Sequence, residues 1–117
     1  MSTKYIIQTV DAEKARIMDE LHPPNKAIVQ MWKNSLNRIR VQLVMNTDSL
    51  SIVNQLEKEL TNYATCINEF AEQGIPGNHP AMILVENWGQ SLRTVYDKLR
   101  TEHRFTKALD RMVEKLV

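Results

Sequence analysis

The stretch VQMWKNSLNRIRVQL (residues 29–43) carries a stripe of apolar side chains at intervals of three and four residues. The stripe consists of Val29, Trp32, Leu36, Ile39 and Leu43. Because an α-helix completes a turn every 3.6 residues, this spacing places all five side chains on one side of a helix. It predicts a helix over about residues 26–46 that buries one face in a core.

Two further stretches repeat this spacing. One follows the capping residues at 46–49 and ends at Gly74, which can adopt the left-handed backbone of a helix end. Its stripe is Val53, Leu56, Leu60, Tyr63, Ile67 and Phe70. The other opens at Pro80 after a loop at 74–79. Its stripe is Val85, Trp88, Leu92, Val95 and Leu99. Each stretch predicts a long amphipathic helix.

The two ends of the chain carry weaker patterns. After Leu99 the stripe shifts by roughly a quarter turn. The shift predicts a break near 103–106, with Thr106 as an N-cap. The displaced stripe is Phe105, Leu109, Met112 and Leu116. At the N-terminus a short helix is predicted to start near Thr9 or Asp11. Its apolar residues are Val10, Ile17, Met18 and Leu21.

The predicted fold class is all-α, because no stretch alternates apolar and polar residues over the length of a strand. We expect a compact antiparallel helical bundle of about four main helices plus a short N-terminal helix, in a single domain spanning residues 1–117. The chain has 117 residues, of which 43% are hydrophobic and 25% charged, a composition that excludes intrinsic disorder.

The composition also indicates where the protein resides. The single cysteine, Cys66, cannot form an internal disulfide, and the N-terminus lacks the apolar run of a signal peptide. No stretch approaches the roughly eighteen apolar residues of a membrane span. We expect a soluble, cytoplasmic protein with no membrane partner.

An internal echo relates two of the predicted helices. Sliding the sequence by 56 residues pairs Pro24 with Pro80, Trp32 with Trp88 and Ser35 with Ser91, together with the apolar stripes. Two explanations stay open: a duplicated helical hairpin, with copies at 24–73 and 80–117, or two heptad-patterned helices in the same phase. A true duplication predicts a pseudo-two-fold axis with both tryptophans in equivalent core positions.

Residues that would carry catalysis are not grouped in the sequence. A di-metal bundle needs repeated Glu-x-x-His pairs, whereas the only acid-to-His pair at that spacing is Asp19 with His22, beside a proline turn. Cys66 lies next to an apolar stripe, which favours a half-buried thiol. The sequence contains no phosphate-binding glycine loop and no zinc-ligand spacing. We predict no enzyme activity, no catalytic residues, no cofactor and no metal site.

Charge is segregated along the chain although the net charge is only +1. Residues 22–47 carry four basic side chains and no acidic one, whereas residues 48–73 carry five acidic and one basic. Residues 93–117 are basic again, with seven basic and four acidic side chains. The two basic stretches predict contacts with phosphate or an acidic partner. The candidates are Lys26, Lys33, Asn37, Arg38, Arg40, Arg100, Arg104 and Lys107. Alternatively, the opposite charges pair across the bundle surface, or they meet in a self-complementary association of two copies.

Apolar residues off the main stripe give residues 26–46 a second apolar side. One small bundle need not cover this side, so it predicts an interface, although core filling is the alternative for the methionines. The predicted interface residues are Met31, Val41, Val44, Met45 and Ile52.

The segment Pro80–Leu84, with Gln90–Leu92 after it, resembles a helix motif in the small helical subunit of type III CRISPR effector complexes. The resemblance covers thirteen residues. In that family the motif lies earlier in the chain, and an Asn-Gly pair of the family is interrupted here by Trp88. We therefore assign the chain to no family. The resemblance implies that nucleic acid belongs among the candidate partners.

These observations lead to two functional hypotheses. The first is a non-catalytic small helical interaction protein, such as an adaptor, an inhibitor or a structural subunit, that acts through protein–protein contacts and forms a homo-oligomer. The alternative is a nucleic-acid-binding helical subunit of a ribonucleoprotein or effector complex that uses the basic helix face.

Overall fold

The computed structural model describes residues 3–19 and 22–116, with the backbone alone at residue 116. All regular secondary structure in this part of the chain is helical, and it contains no strand. The α-helices are α1 (Thr3–Ala15), α2 (Pro23–Val44), α3 (Ser49–Glu72), α4 (Pro80–Leu99) and α5 (Thr106–Leu116). A one-turn 3₁₀ helix (His103–Phe105) leads directly into α5. The predicted all-α helical bundle is therefore confirmed.

Local sequence explains where the long helices begin and end. Prolines occupy the first turns of α2 and α4, where a missing N–H costs nothing. The Asp48 carboxylate caps α3 by accepting the Ser51 N–H at 2.7 Å. The connection from α2 to α3 passes through Asn46, and the loop after α3 through Gly74, both with positive φ. The predicted capping segment and the predicted glycine end of α3 are thus confirmed.

The helices pack around a central pair. Helices α2 and α4 contact each other, α1 packs on both of them, and α3 also packs on both. Helix α5 and the 3₁₀ turn extend the bundle by packing on α3. The four residues between α2 and α3 are too few to run back along a helix of about 33 Å, so these two helices are antiparallel. The same reasoning applies to α3 and α4.

The predicted stripes form the core. Every stripe residue of α2 and of α4 is buried. On α3, Val53 and Leu56 are buried and the remaining stripe residues pack partly buried against the core. Phe105, Leu109 and Met112 of the shifted C-terminal stripe are buried in this core, as predicted, whereas the side chain of Leu116 lies outside the described part of the chain.

Both weaker predictions for the ends need correction. Helix α1 begins at Thr3, not near Thr9 or Asp11, and it buries Ile6 in addition to Val10. Ile17 lies after the helix but is still buried, whereas Met18 is 82% exposed. Leu21 lies outside the described residues. Thr106 is the first helical residue of α5 and not its N-cap, because the 3₁₀ turn already places it in helical backbone.

The proline, tryptophan and serine pairs of the echo are the matches that phase alone does not require. Trp32 and Trp88 are both buried, and so are Ser35 and Ser91, three residues further along each helix. The duplication itself stays a prediction. None of the described helices is long and apolar enough to cross a membrane.

Candidate functional site

Three of the four basic side chains predicted to make α2 cationic are paired with acids of the same chain. Lys33 Nζ lies 2.5 Å from Asp19 Oδ1, and Arg40 Nε lies 2.6 Å from Asp11 Oδ1. The hydrogen bonds from these cations lower the pKa of both aspartates. Lys33 and Arg40 are half-buried and already paired with these acids, so neither cation is free on an exposed helix face.

The third pair is built around a buried carboxylate. Glu59 of α3 is 0% exposed, although the sequence suggests only a surface acid. Arg38 of α2 donates to it twice, from Nε and Nη2, each at 2.8 Å. Ser35 Oγ and Gln55 Nε2 also donate, at 3.0 Å and 2.6 Å, and Asn62 donates at 3.4 Å. Five donor contacts therefore converge on one carboxylate.

The surroundings of Glu59 keep it ionised. Burial alone would raise the pKa of this carboxyl, but hydrogen bonds from Arg38, Ser35 and Gln55, together with the Arg38 charge, outweigh burial and lower the pKa. The same contact raises the pKa of Arg38. The cluster joins α2 to α3 as an internal ion pair, and Arg38 consequently has fewer donors to offer a phosphate.

A second buried carboxylate joins three helices. Trp32 Nε1 donates to Ser91 Oγ at 3.0 Å, and Ser91 Oγ donates onward to Glu13 Oε1 at 2.9 Å. Arg16 Nη1 lies 2.6 Å from the same oxygen of Glu13. Because these side chains come from α2, α4 and the α1 region, the chain of hydrogen bonds holds the central pair against α1. Its position indicates a structural role.

Trp88 differs from Trp32 in its hydrogen bonding. Its Nε1 is the one buried side-chain nitrogen or oxygen without a hydrogen-bond partner in the described part of the chain. The indole meets Tyr63 edge-on, with ring centroids 5.9 Å apart. Tyr63 in turn lies over Gly89, where a Cβ would come within 2.4 Å of the tyrosine ring. The contact among Trp88, Tyr63 and Gly89 is thus tightly packed.

Trp88 also lines a cleft of about 560 Å³ between α2 and α3, with Met31, Cys66 and Phe70 among the other lining residues. Cys66 is buried, and burial raises the pKa of its thiol. Within residues 3–19 and 22–116, no three His, Cys, Asp or Glu side chains are grouped so that they could hold a metal ion.

Apolar side chains are exposed at the corner where α2 ends and α3 begins. We call this surface the apolar corner and define it by Val41, Val44, Met45 and Leu50, which are 52%, 54%, 68% and 51% exposed. Three of the four were predicted as interface residues, and Leu50 was not. Met31, at 38% exposed, lies further back along α2. Ile52 is 0% exposed, so its prediction as an interface residue is wrong: the first turn of α3 points it into the core.

The other predicted contact residues are exposed. Lys26 and Asn37 lie on α2, and Lys26 has no carboxylate within 4 Å among the described residues. Arg100, Arg104 and Lys107 lie where α4 gives way to α5, far along the chain from α2. Of the eight predicted contact residues, five therefore lie on α2, where three are paired with acids, and three lie between the end of α4 and the start of α5.

Comparison with known proteins adds no relative. No protein-family model, curated protein or solved structure matches this chain at a significant level of similarity.

Proposed function

We propose that this protein is a non-catalytic helical interaction protein that binds another protein chain through the apolar corner, and that a second copy of the chain is the first occupant to test. The observation that carries the proposal is the exposure of Val41, Val44, Met45 and Leu50 on consecutive segments at one end of the bundle. Grouped apolar exposure of this kind is characteristic of protein interfaces.

The position of the corner on α2 supports this proposal. Val41, Val44 and Met45 lie on the last turn of α2 and just after it, on the side away from the buried stripe. The nearest cations on α2 are already neutralised: Arg40 is paired with Asp11 of α1, and Arg38 is paired with Glu59 of α3. A partner can therefore cover the corner without burying an unpaired charge, which would be costly.

The charges themselves give the proposal less support than the sequence suggests. A self-complementary contact between a basic helix and an acidic helix of another copy would need free cations on α2. Because Lys33, Arg38 and Arg40 are paired within the chain, the proposal rests on the apolar corner and not on charge.

The test measures molar mass by light scattering during size-exclusion chromatography, at concentrations up to tens of micromolar. We expect the wild-type mass to exceed that of one chain and the double variant Val44→Glu, Met45→Glu to elute as a monomer. The matched control is Met18→Glu with Ile83→Glu, which places the same charges on exposed apolar residues elsewhere. A monomeric wild type, or equal loss in both double variants, would contradict docking of a second copy at this corner.

A further inference from the structure

The segment where α4 gives way to α5 concentrates positive charge. Residues 98–111, which we call the basic corner, carry five basic and two acidic side chains. The basic ones are Lys98, Arg100, Arg104, Lys107 and Arg111, and the acidic ones are Glu102 and Asp110. The segment includes the last two residues of α4, the 3₁₀ turn and the first half of α5. Three positive charges are therefore left uncompensated within fourteen residues.

These cations differ from those of α2 in their partners. Among the described residues, none of the five has a carboxylate oxygen within 4 Å, whereas three of the four on α2 do. Two of the three arginines are held by aromatic rings instead. Arg100 donates to Tyr96 Oη at 2.7 Å and lies over that ring, and the Arg104 guanidinium lies 4.6 Å from the Phe105 centroid. Both guanidinium groups are thus positioned without being neutralised.

The exposed surface of the basic corner is polar throughout. Between residues 100 and 111, every exposed side chain is charged or can donate a hydrogen bond. They are Arg100, Thr101, His103, Arg104, Thr106, Lys107, Asp110 and Arg111. The buried centre of a typical protein interface is apolar, and a helix that inserts into a membrane surface does so through an apolar face. The basic corner has neither, so its composition favours a hydrated polyanion.

We propose that the basic corner binds the phosphate backbone of a nucleic acid strand, at a surface separate from the apolar corner. Arginine donors match phosphate oxygens in pairs, and Lys107 and Arg111 lie one helical turn apart on the same face of α5. Such contacts position a strand without reading its bases, so binding is independent of sequence and strongly dependent on salt.

The test is a titration of the full chain into a fluorescent single-stranded oligonucleotide, and into its duplex, followed by fluorescence anisotropy. If Arg100, Arg104, Lys107 and Arg111 each neutralise one phosphate, the affinity falls between about 50 and 200 mM salt by about 50-fold for the single strand and about 150-fold for the duplex. The affinity for the duplex should therefore depend more steeply on salt concentration than the affinity for the single strand.

The decisive variant is Lys107→Glu with Arg111→Glu, because both side chains are exposed and make no contact that holds the fold together. We expect at least about a tenfold loss of affinity at 50 mM salt and a single-strand salt effect reduced to about sevenfold, as two lost contacts require. The matched control is Lys26→Glu with Lys58→Glu, which changes the net charge equally at exposed positions outside the corner. This control should bind like the wild type.

Three results would overturn the proposal. The first is no anisotropy change at 50 mM salt, and the second is an equal loss in both double variants, which would indicate a response to net charge alone. The third is competition by polyglutamate as effective as competition by unlabelled oligonucleotide, which would assign the surface to an acidic protein. None of these results bears on the oligomeric state, so the proposal for the basic corner and the proposal for the apolar corner can fail independently.

Discussion

Replacing Glu59 by glutamine tests whether the buried ion pair stabilises the bundle through its charge. The variant Glu59→Gln keeps the size of the side chain and one oxygen. With that oxygen in the place of Oε1, the bonds from Ser35 and from Arg38 Nη2 are retained. The new amide group then faces Arg38 Nε and Gln55 Nε2, which are both donors. Two hydrogen bonds to a charged acceptor are lost.

The magnitude follows from these two bonds. Hydrogen bonds to charged groups contribute about 1.5–3 kcal/mol each, but the Arg38 side chain is 48% exposed, so water can replace part of its loss. The amide of Gln55 can also turn to present its oxygen. We therefore expect the free energy of unfolding to fall by about 2 kcal/mol. For a chain of this length that loss lowers the Tm by about 8 °C.

The pH dependence separates charge from shape. Because folding lowers the pKa of Glu59 below its ordinary value of 4.5, the ionised carboxylate stabilises the fold above that value, and the contribution is lost as the pH falls through the lowered pKa. Urea unfolding of both proteins should show the full difference at pH 7 and a much smaller one near pH 3. An equal difference at both pH values would refute the reasoning, as would no difference at pH 7. The surface-pair variant Asp19→Asn serves as the control and should unfold like the wild type.

Two further predictions concern the tryptophans and the glycine beside them. Trp32→Phe should destabilise the fold by about 1 kcal/mol more than Trp88→Phe, because only Trp32 loses a hydrogen bond, the one to Ser91, whereas the Trp88 change removes a donor that has no partner. Equal urea midpoints for the two variants would contradict this difference. Gly89→Ala should force the Tyr63 ring away and change the tryptophan fluorescence. The free energy of unfolding of Gly89→Ala should stay within about 1 kcal/mol of the wild-type value, because the gain in helix propensity offsets the lost ring contact. An unchanged tryptophan fluorescence spectrum would contradict the predicted movement of the Tyr63 ring.

The long helices could be predicted from the sequence because their apolar spacing and their caps point the same way. Pro23 and Pro80 begin helices, Asp48 caps one and Gly74 follows the end of one. The sequence pattern places the start of α1 too late, because the buried face of this helix, Ile6, Val10 and Glu13, includes an acidic residue and therefore does not form a continuous apolar stripe in the sequence.

The surfaces were harder to predict, because their character depends on helices that are distant in the sequence. The sequence shows that α2 is basic, but not that Asp11 and Asp19 come from the α1 side to neutralise it. Leu50 follows the spacing of the buried α3 stripe and gives no sign that it is exposed, whereas Ile52 lies off that stripe and is buried. Only packing decides these cases.

The burial of Glu59 gave no sequence signal either. An acidic side chain in a helix that carries other acids is expected on the surface. The paired serines of the echo were the one available hint of polar contacts in the core, since a serine on a helix face that packs inward needs a hydrogen-bond partner. The identity of the partners, Glu13 and Glu59, depends on which helices flank the central pair.

The two buried carboxylates also restrict how the helices can slide along one another. Apolar stripes of similar side chains would pack almost as well after a shift of one turn, about 5.4 Å, but such a shift would separate Glu59 from Arg38 and leave a charge in the core. The same holds for Glu13 and Ser91 on the other side of the central pair. The buried carboxylates therefore select one lengthwise alignment of the helices. This alignment also determines which residues lie next to each exposed side chain. The arrangement of Leu50 beside the end of α2, on which the proposed docking depends, is therefore fixed by two buried acids.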